Sequence, residues 1–293
     1  MQVGMTLPTM APDVADHRLF DWIDGIESGP FSMIAVGERI AFPNPEAWVV
    51  LAAAVARTKR VRVASTLSIA PLRSTAWLAK QVATLDVLSE GRFVLGLGVG
   101  GREEDYRAVG ASYARRHERL DAQVAELRRL WAGEALDAET GAIGPAPTRP
   151  GGPPLWTGAS SERPLRRAAR WAEGVAGFSF GPDPLEVRRA FDAADRAWEA
   201  AGREGRPHHV TSFWYALGPA AEERLAAYAS RYLAVFGEAA ATALSALCLT
   251  AGEERLCEVL SQLRDAGADE VLLVPTTADP AELARTEAIL ARD

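Results

Sequence analysis

The chain is poor in cysteine and histidine, lacks long apolar runs, and has no excess of positive charge. Its two cysteines, Cys248 and Cys257, suit a reducing compartment. Both stand in apolar helical surroundings and read as core thiols. The four histidines, His17, His117, His208 and His209, show no HExxH or other ligand spacing, so no metal is expected. With 39 acidic against 32 basic residues, the net charge is −7. No basic stripe is visible, which argues against a nucleic-acid partner. No run approaches the ~18 apolar residues of a membrane span. The opening MQVGMTLPTM has neither the basic flank nor the apolar core of a secretory leader, so a cytoplasmic location is expected.

What is present is alternation. Strand-like apolar runs fall at 2–7, 32–36, 61–67, 93–99, 155–157, 174–178, 210–216 and 270–275, with helix-period segments between them. Residues 78–88 set Leu78, Val82, Leu85 and Leu88 on one face, and residues 116–131 do the same with Leu120, Val124, Leu127 and Trp131. Near the end, 253–265 reads as a helix stopped at Gly267, followed by a strand. A last helix over 280–291 follows a turn at Asp279. Eight strands, each followed by a helix, require a parallel sheet. Near-continuous apolar strands in that number predict a closed (β/α)8 barrel formed by residues 1–293 as one domain. Two insertions depart from a minimal barrel. Residues 133–154 are rich in Pro and Gly and read as a long loop, and 219–249 add helical sequence after strand seven.

The fourth strand runs into FVLGLGVGGREEDY, which contains a formal G-x-G-x-x-G at Gly96, Gly98 and Gly101. A dinucleotide fingerprint should follow the first strand of its unit, with an acidic residue ending the next strand about 20 residues later. Here the motif follows strand four, and residues 117–121 lie within a helix. Gly96, Gly98 and Gly100 fit a steric reading better: they leave room for a flat ring at the barrel mouth, or simply fill a tapered interior. Glu103, Glu104 and Asp105 then suit the first turn of a helix.

The stretch from Thr58 to Ala111, TKRVRVASTLSIAPLRSTAWLAKQVATLDVLSEGRFVLGLGVGGREEDYRAVGA, resembles the bacterial luciferase-like monooxygenases. So do GPFSMIAVGERI, PLWTGASSERPLRRAARWAEGVAGF and LRDAGADEVLLVP, and the resemblance covers nearly all of the chain outside 219–249. It implies a (β/α)8 barrel that binds FMN, or the deazaflavin coenzyme F420, at its C-terminal mouth. It also implies a homodimer and, for the FMN branch, a separate flavin reductase that supplies reduced cofactor.

The same resemblance carries roles to particular positions. Glu38 and Arg39 stand where relatives carry a catalytic or site-lining histidine or an Asp-His pair; a carboxylate there could act as base and an arginine could stabilise an anion. An ion pair in a loop is the plain alternative. Ser65, Thr66 and Leu67 end strand three, where relatives hold a non-proline cis peptide behind the ring, here expected at Thr66–Leu67. Arg73-Ser74-Thr75 replaces the family's Arg-His-Pro, and no role follows from it. Gly158, Ala159, Ser160 and Ser161 precede a helix, and their hydroxyls and N–H groups suit the cofactor phosphate or a helix cap. Phe178 ends strand six and could border the ring; Trp214 and Tyr215 raise the same choice, while Trp48 reads as core. His117 is a candidate acid–base group or a solvated helix residue.

The expected activity is oxidation of a small organic substrate by reduced FMN and oxygen, with F420-dependent hydride transfer as the alternative. A flavin carrier without turnover, or an unrelated barrel enzyme, stays open beyond these.

Overall fold

The computed structural model describes residues 1–14 and 18–292, so His17 lies outside the described residues. In its first half, β1 (Gln2–Thr6), α1 (Arg18–Ser28), β2 (Met33–Val36), α2 (Ala47–Arg57), β3 (Arg62–Ile69), α3 (Thr75–Leu88) and β4 (Phe93–Gly98) alternate strictly. A short α4 (Glu103–Ala108) and a long α5 (Arg116–Trp131) then precede β5 (Leu155–Thr157), α6 (Glu162–Ala168), β6 (Gly174–Phe178) and α7 (Pro184–Ala200). After β7 (His208–Tyr215) come α8 (Ala221–Leu233) and α9 (Glu238–Ser245), and α10 (Glu253–Asp265), β8 (Glu270–Pro275) and α11 (Pro280–Leu290) complete the order. The strands close into a barrel in sequence order, every pair parallel, with β8 returning to β1. The expected (β/α)8 architecture is thus present.

Two layers of burial hold it. Outside the sheet, the helices pack their apolar stripes onto the strands: Leu78, Val82 and Leu85 of α3, and Leu120, Val124, Leu127 and Trp131 of α5, are all buried. Leu88, expected on that α3 face, is 60% exposed because it falls in the last turn, where the stripe has rotated off the sheet. Inside the barrel, Met33, Ala35, Ala64, Val94, Trp156, Val210 and Leu272 form a separate packed cluster. Each large member of such a core contributes about 1.5–3 kcal/mol on burial. At the base, Arg62 pairs with Glu270 at 2.8 Å and Ser32 Oγ donates to the same carboxylate at 2.5 Å, so charge plugs the N-terminal end of the barrel.

Cys248 is buried, but Cys257 is exposed: on α10 the buried face is Leu256, Val259, Leu260 and Leu263, and position 257 turns away from it. Residues 133–154 form the expected irregular loop, with one isolated bridge between Ala135 and Ala142. The 219–249 insertion folds as α8 and α9 and lies over the C-terminal mouth. Asp279 caps α11, its carboxylate accepting from Ala281 N. Among the described residues no helix is long and apolar enough to cross a membrane, and no three His, Cys, Asp or Glu side chains gather as a metal site.

Candidate active site

The end of β3 shapes the mouth. Its pairing with β4 slips between Ser65 and Ser68, and the Thr66–Leu67 peptide is cis, at the position expected. Below the slip, Ser65 Oγ donates to Gly96 O at 3.0 Å and accepts from Gly96 N at 3.1 Å. Ser65 and Gly96 therefore stitch the barrel wall and line neither cavity at the mouth. A Cβ on Gly96 would lie 2.2 Å from Ser65 O, so that glycine answers a close backbone approach rather than a ring.

Above the slip, the Leu67 side chain occupies the space that two other glycines leave. A Cβ would meet Leu67 Cδ1 at 3.2 Å from Gly98 and at 2.0 Å from Gly158. Gly100 has φ +63°, and a Cβ there would crowd Ile69 at 3.1 Å. The glycines thus make room chiefly for the bulged end of β3, a role that neither ring clearance nor a tapered interior had described. The backbones of Gly98 and Gly100 nonetheless line the mouth, and together with Leu67 they border both of its cavities.

The first cavity, about 320 Å³, lies over the barrel axis. Thr66, Leu67 and Glu38 line one side, and Phe178, Phe180, Trp214, Tyr228 and Tyr232 line the other. The aromatic wall is self-supporting: Trp214 packs edge-to-face with Phe178 at 4.9 Å, Tyr232 at 5.0 Å and Tyr228 at 5.5 Å. Such contacts add about 0.5–1.5 kcal/mol each beyond burial. Tyr228 and Tyr232 come from α8 and were not singled out in the sequence. Their spacing of four residues on an amphipathic helix was the available signal. Tyr215, by contrast, is buried outside this wall with its hydroxyl 2.8 Å from Thr286 Oγ1, and Trp48 is core.

Glu38 borders the first cavity, but its carboxylate is fully engaged. Its Oε2 accepts from Ile69 N at 2.7 Å and from Arg73 Nη1 at 3.2 Å, and its Oε1 accepts from Arg73 Nη2 at 2.5 Å. Arg73 also donates to Ser68 Oγ at 2.7 Å. Glu38 is therefore a buried, tied carboxylate rather than a free base. Arg73, given no role from sequence, is its partner, and together they hold the bulged end of β3 in place.

Arg39 does not line the cavity, so it cannot touch a reacting group there. It is 6% exposed and lies 3.9 Å from the Phe42 ring centroid and 5.0 Å from that of Tyr232. Burial, and then the charge of Arg102, push its guanidinium down from the usual range. Asp105 is buried in the first turn of α4, where its Oδ1 accepts from Ile40 N at 2.9 Å and Ala41 N at 2.7 Å, pinning the loop after β2.

The second cavity, about 290 Å³, opens between α5 and the loop after β5. Gly158, Ala159, Ser160, Ser161, His117 and Arg167 line it, with Asp121 beside them. His117 thus stands in this polar cavity and does not line the aromatic one. Burial first, then the charges of Arg116 and Arg167, lower its pKa below the ordinary imidazole value. Ser161 is the N-cap of α6 but makes no side-chain capping bond, so its hydroxyl is available to a ligand. Arg167 is tied to Asp121 by a short ion pair. Arg166 is exposed and pairs with Glu162 within α6, outside the cavity. Two hydroxyls, an imidazole and an arginine at one spot fit a phosphate.

Residues 1–290 match the family described as luciferase-like monooxygenase. An uncharacterised protein of Mycobacterium tuberculosis is 32% identical over 170 residues, covering 56% of this chain and 59% of that protein. A phthiodiolone/phenolphthiodiolone dimycocerosates ketoreductase of Mycobacterium kansasii is 31% identical over 171 residues, 55% of this chain and 46% of that one. The chain thus matches less than two thirds of the length of these relatives. Among solved structures, monooxygenase RslO1 from Streptomyces bottropensis superposes with TM-score 0.78 at 22% identity, over 100% of this chain and 98% of its own. An F420-dependent secondary alcohol dehydrogenase in complex with an F420-acetone adduct gives 0.79 at 16% identity, over 98% and 97%. The oxygenating constituent of 3,6-diketocamphane monooxygenase of Pseudomonas putida, in complex with FMN, gives 0.73 at 17% identity, over 100% and 97%. At these identities the structures share the fold. Together with the barrel and its paired cavities, the match along residues 1–290 places this chain in the luciferase-like monooxygenase family.

Proposed function

We propose that the chain oxidises a small organic substrate with reduced FMN and oxygen. The observation that carries this reading is the pair of adjoining cavities, one aromatic and one polar, joined at Leu67, Gly98 and Gly100. A flavin ring would lie in the first against Thr66, Leu67 and the backbone of Gly98. Its phosphate would lie in the second, against Ser160, Ser161, His117 and Arg167. When bound, reduced FMN supplies two electrons and reacts with oxygen, and a separate reductase delivers it. The protein's own part is positional: the Glu38–Arg73 pair fixes the bulge under the ring, and the aromatic wall keeps water from the reacting face.

The direct test is titration with FMN, riboflavin and F420, in native protein and in a Ser160→Ala/Ser161→Ala variant. Hydrogen bonds to a charged group are worth about 1.5–3 kcal/mol each when well formed. At this exposed site the variant should bind FMN roughly tenfold more weakly and riboflavin unchanged. Equal weakening of both removes the phosphate from this cavity.

A second reading, hydride transfer from reduced F420 without oxygen, is favoured by the ketoreductase name of one relative and by the likeness to the F420-dependent dehydrogenase. F420 carries a phosphate too, so the same cavity would serve. Protein-dependent transfer of an oxygen atom from labelled O2 into the substrate with reduced FMN supports the first reading; oxidation of reduced F420 by a ketone, with no oxygen consumed, supports the second.

A further inference from the structure

Two arginines beside the aromatic wall have buried donors without hydrogen-bond partners. Arg39 is buried, with Nε and Nη1 lacking any hydrogen-bond partner, and Arg102 has a buried Nε in the same condition. Neither forms an ion pair with a described carboxylate. Glu103, Glu104 and Asp105 follow Arg102 directly; Asp105 uses Oδ1 on Ile40 N and Ala41 N, while its Oδ2 has no hydrogen-bond partner and its charge, with that of Glu104, acts on Arg39 without a direct ion pair. Arg102 lines the first cavity; its guanidinium carbon lies 4.9 Å from the Tyr232 ring centroid and 5.3 Å from that of Phe236, both cavity-lining rings. Arg39 lies against the same Tyr232 ring. A third cation, Arg231 on α8, lies 4.8 Å from the Phe42 ring centroid, with its Nη1 donating to Met10 O at 2.9 Å.

Ring faces attract guanidinium groups only modestly, by about 0.5–2 kcal/mol. They do not replace the hydrogen bonds that a buried guanidinium loses from water. Asp105 and Glu104 offset the charge of Arg39 only in part, and the two guanidinium groups repel while keeping buried donors unsatisfied, which is unfavourable in the empty protein. Such a violation is expected where a ligand completes the arrangement, and Arg102, which lines the cavity, is the arginine a ligand there can reach. An arginine fork also matches a carboxylate's two oxygens in plane.

We propose that Arg102, reinforced by Arg39 behind Tyr232, recognises a carboxylate on an aromatic or similarly flat apolar substrate. The body of that substrate would lie against Phe178, Trp214 and Tyr232. This inference rests on the flavin reading only in placing the substrate beside the ring; the binding it predicts is independent of any cofactor.

The test is calorimetric titration of the purified chain, with and without saturating FMN, using 2-naphthoate and its neutral analogue 2-naphthamide. Native protein should bind the acid at least tenfold more tightly than the amide at low salt. Arg102→Gln should weaken the acid about tenfold and leave the amide within twofold, and Arg102→Lys should restore part of the preference. Equal affinity for acid and amide, no binding of either, or a preference that survives in Arg102→Gln each overturns the proposal. So does loss of FMN or F420 affinity in Arg102→Gln with naphthoate binding intact, since Arg102 would then serve a cofactor. Failure of FMN to bind native protein sinks the flavin reading and leaves the naphthoate comparison standing.

Discussion

Arg73 and Glu38 come from different βα units, 35 residues apart, and meet with side chains 14% and 2% exposed. A carboxylate so placed is tolerable only while its partner stays. Removing one member of a buried pair costs about 3–5 kcal/mol, because the other is left charged and unsolvated. Arg73 keeps some contact with water, so about 3 kcal/mol is the expected loss for Arg73→Met in urea unfolding. Adding Glu38→Gln to that background should recover more than half of it, since a neutral amide can still accept from Ile69 N. Additive losses in this double-mutant cycle would show that the two residues act separately. Gly96 carries a different lesson at the same scale. Its missing side chain is filled by the Ser65 carbonyl, a contact set by a slip in strand pairing that no residue pattern announces.

At the scale of elements, α8 is a cover built on top of the barrel, and its attachment depends on a buried acid in α11. Glu282 is fully buried; its Oε1 accepts from Leu217 N at 2.6 Å, and Arg224 of α8 lies 3.4 Å from its Oε2. Burial pushes this carboxyl up to about 7, against the opposing pull of the Leu217 N–H, Arg224 and Arg285. The unfolded chain releases this proton near pH 4.5 and the folded chain retains it to about 7. Stability therefore falls as pH rises through that window, by at most about 3 kcal/mol. Glu282→Gln removes the titration, so its stability relative to native protein should improve by 2–3 kcal/mol between pH 4.5 and 7.5. A difference that does not change with pH would show that Glu282 ionises normally in the fold. The strands and most helices were legible in the sequence because periods of two and 3.6 record which face is buried. The α8 stripe was legible in the same way, but a stripe records only that a face is covered, not what it covers. Tyr228 and Tyr232 were hidden for that reason, as was the Arg73–Glu38 pair, which exists only once the barrel closes.

The whole molecule carries a net charge of −7, yet the cofactor proposed for it is an anion, so attraction must come from local arrangement. The polar cavity supplies it. Arg116, Arg163 and Arg167 act with burial to hold His117 neutral more readily than a free imidazole, with Asp121 opposing. A phosphate placed among these groups reverses the balance, because a dianion stabilises the imidazolium. The pKa of His117 in the complex then exceeds its lowered value in the empty protein, and binding takes up a proton between the two. FMN affinity should accordingly rise as pH falls through this window, by about tenfold for each unit separating the two values. Riboflavin, with no phosphate, should show no such dependence. The phosphate of FMN itself gains a proton near pH ~6, so the measure is the ratio of native to His117→Gln affinity, in which the ligand's own titration cancels. That ratio should grow several-fold from pH 8 to pH 5.5. A flat ratio would place the phosphate beyond the reach of His117, and would leave Ser160, Ser161 and Arg167 as the only side-chain donors proposed for it.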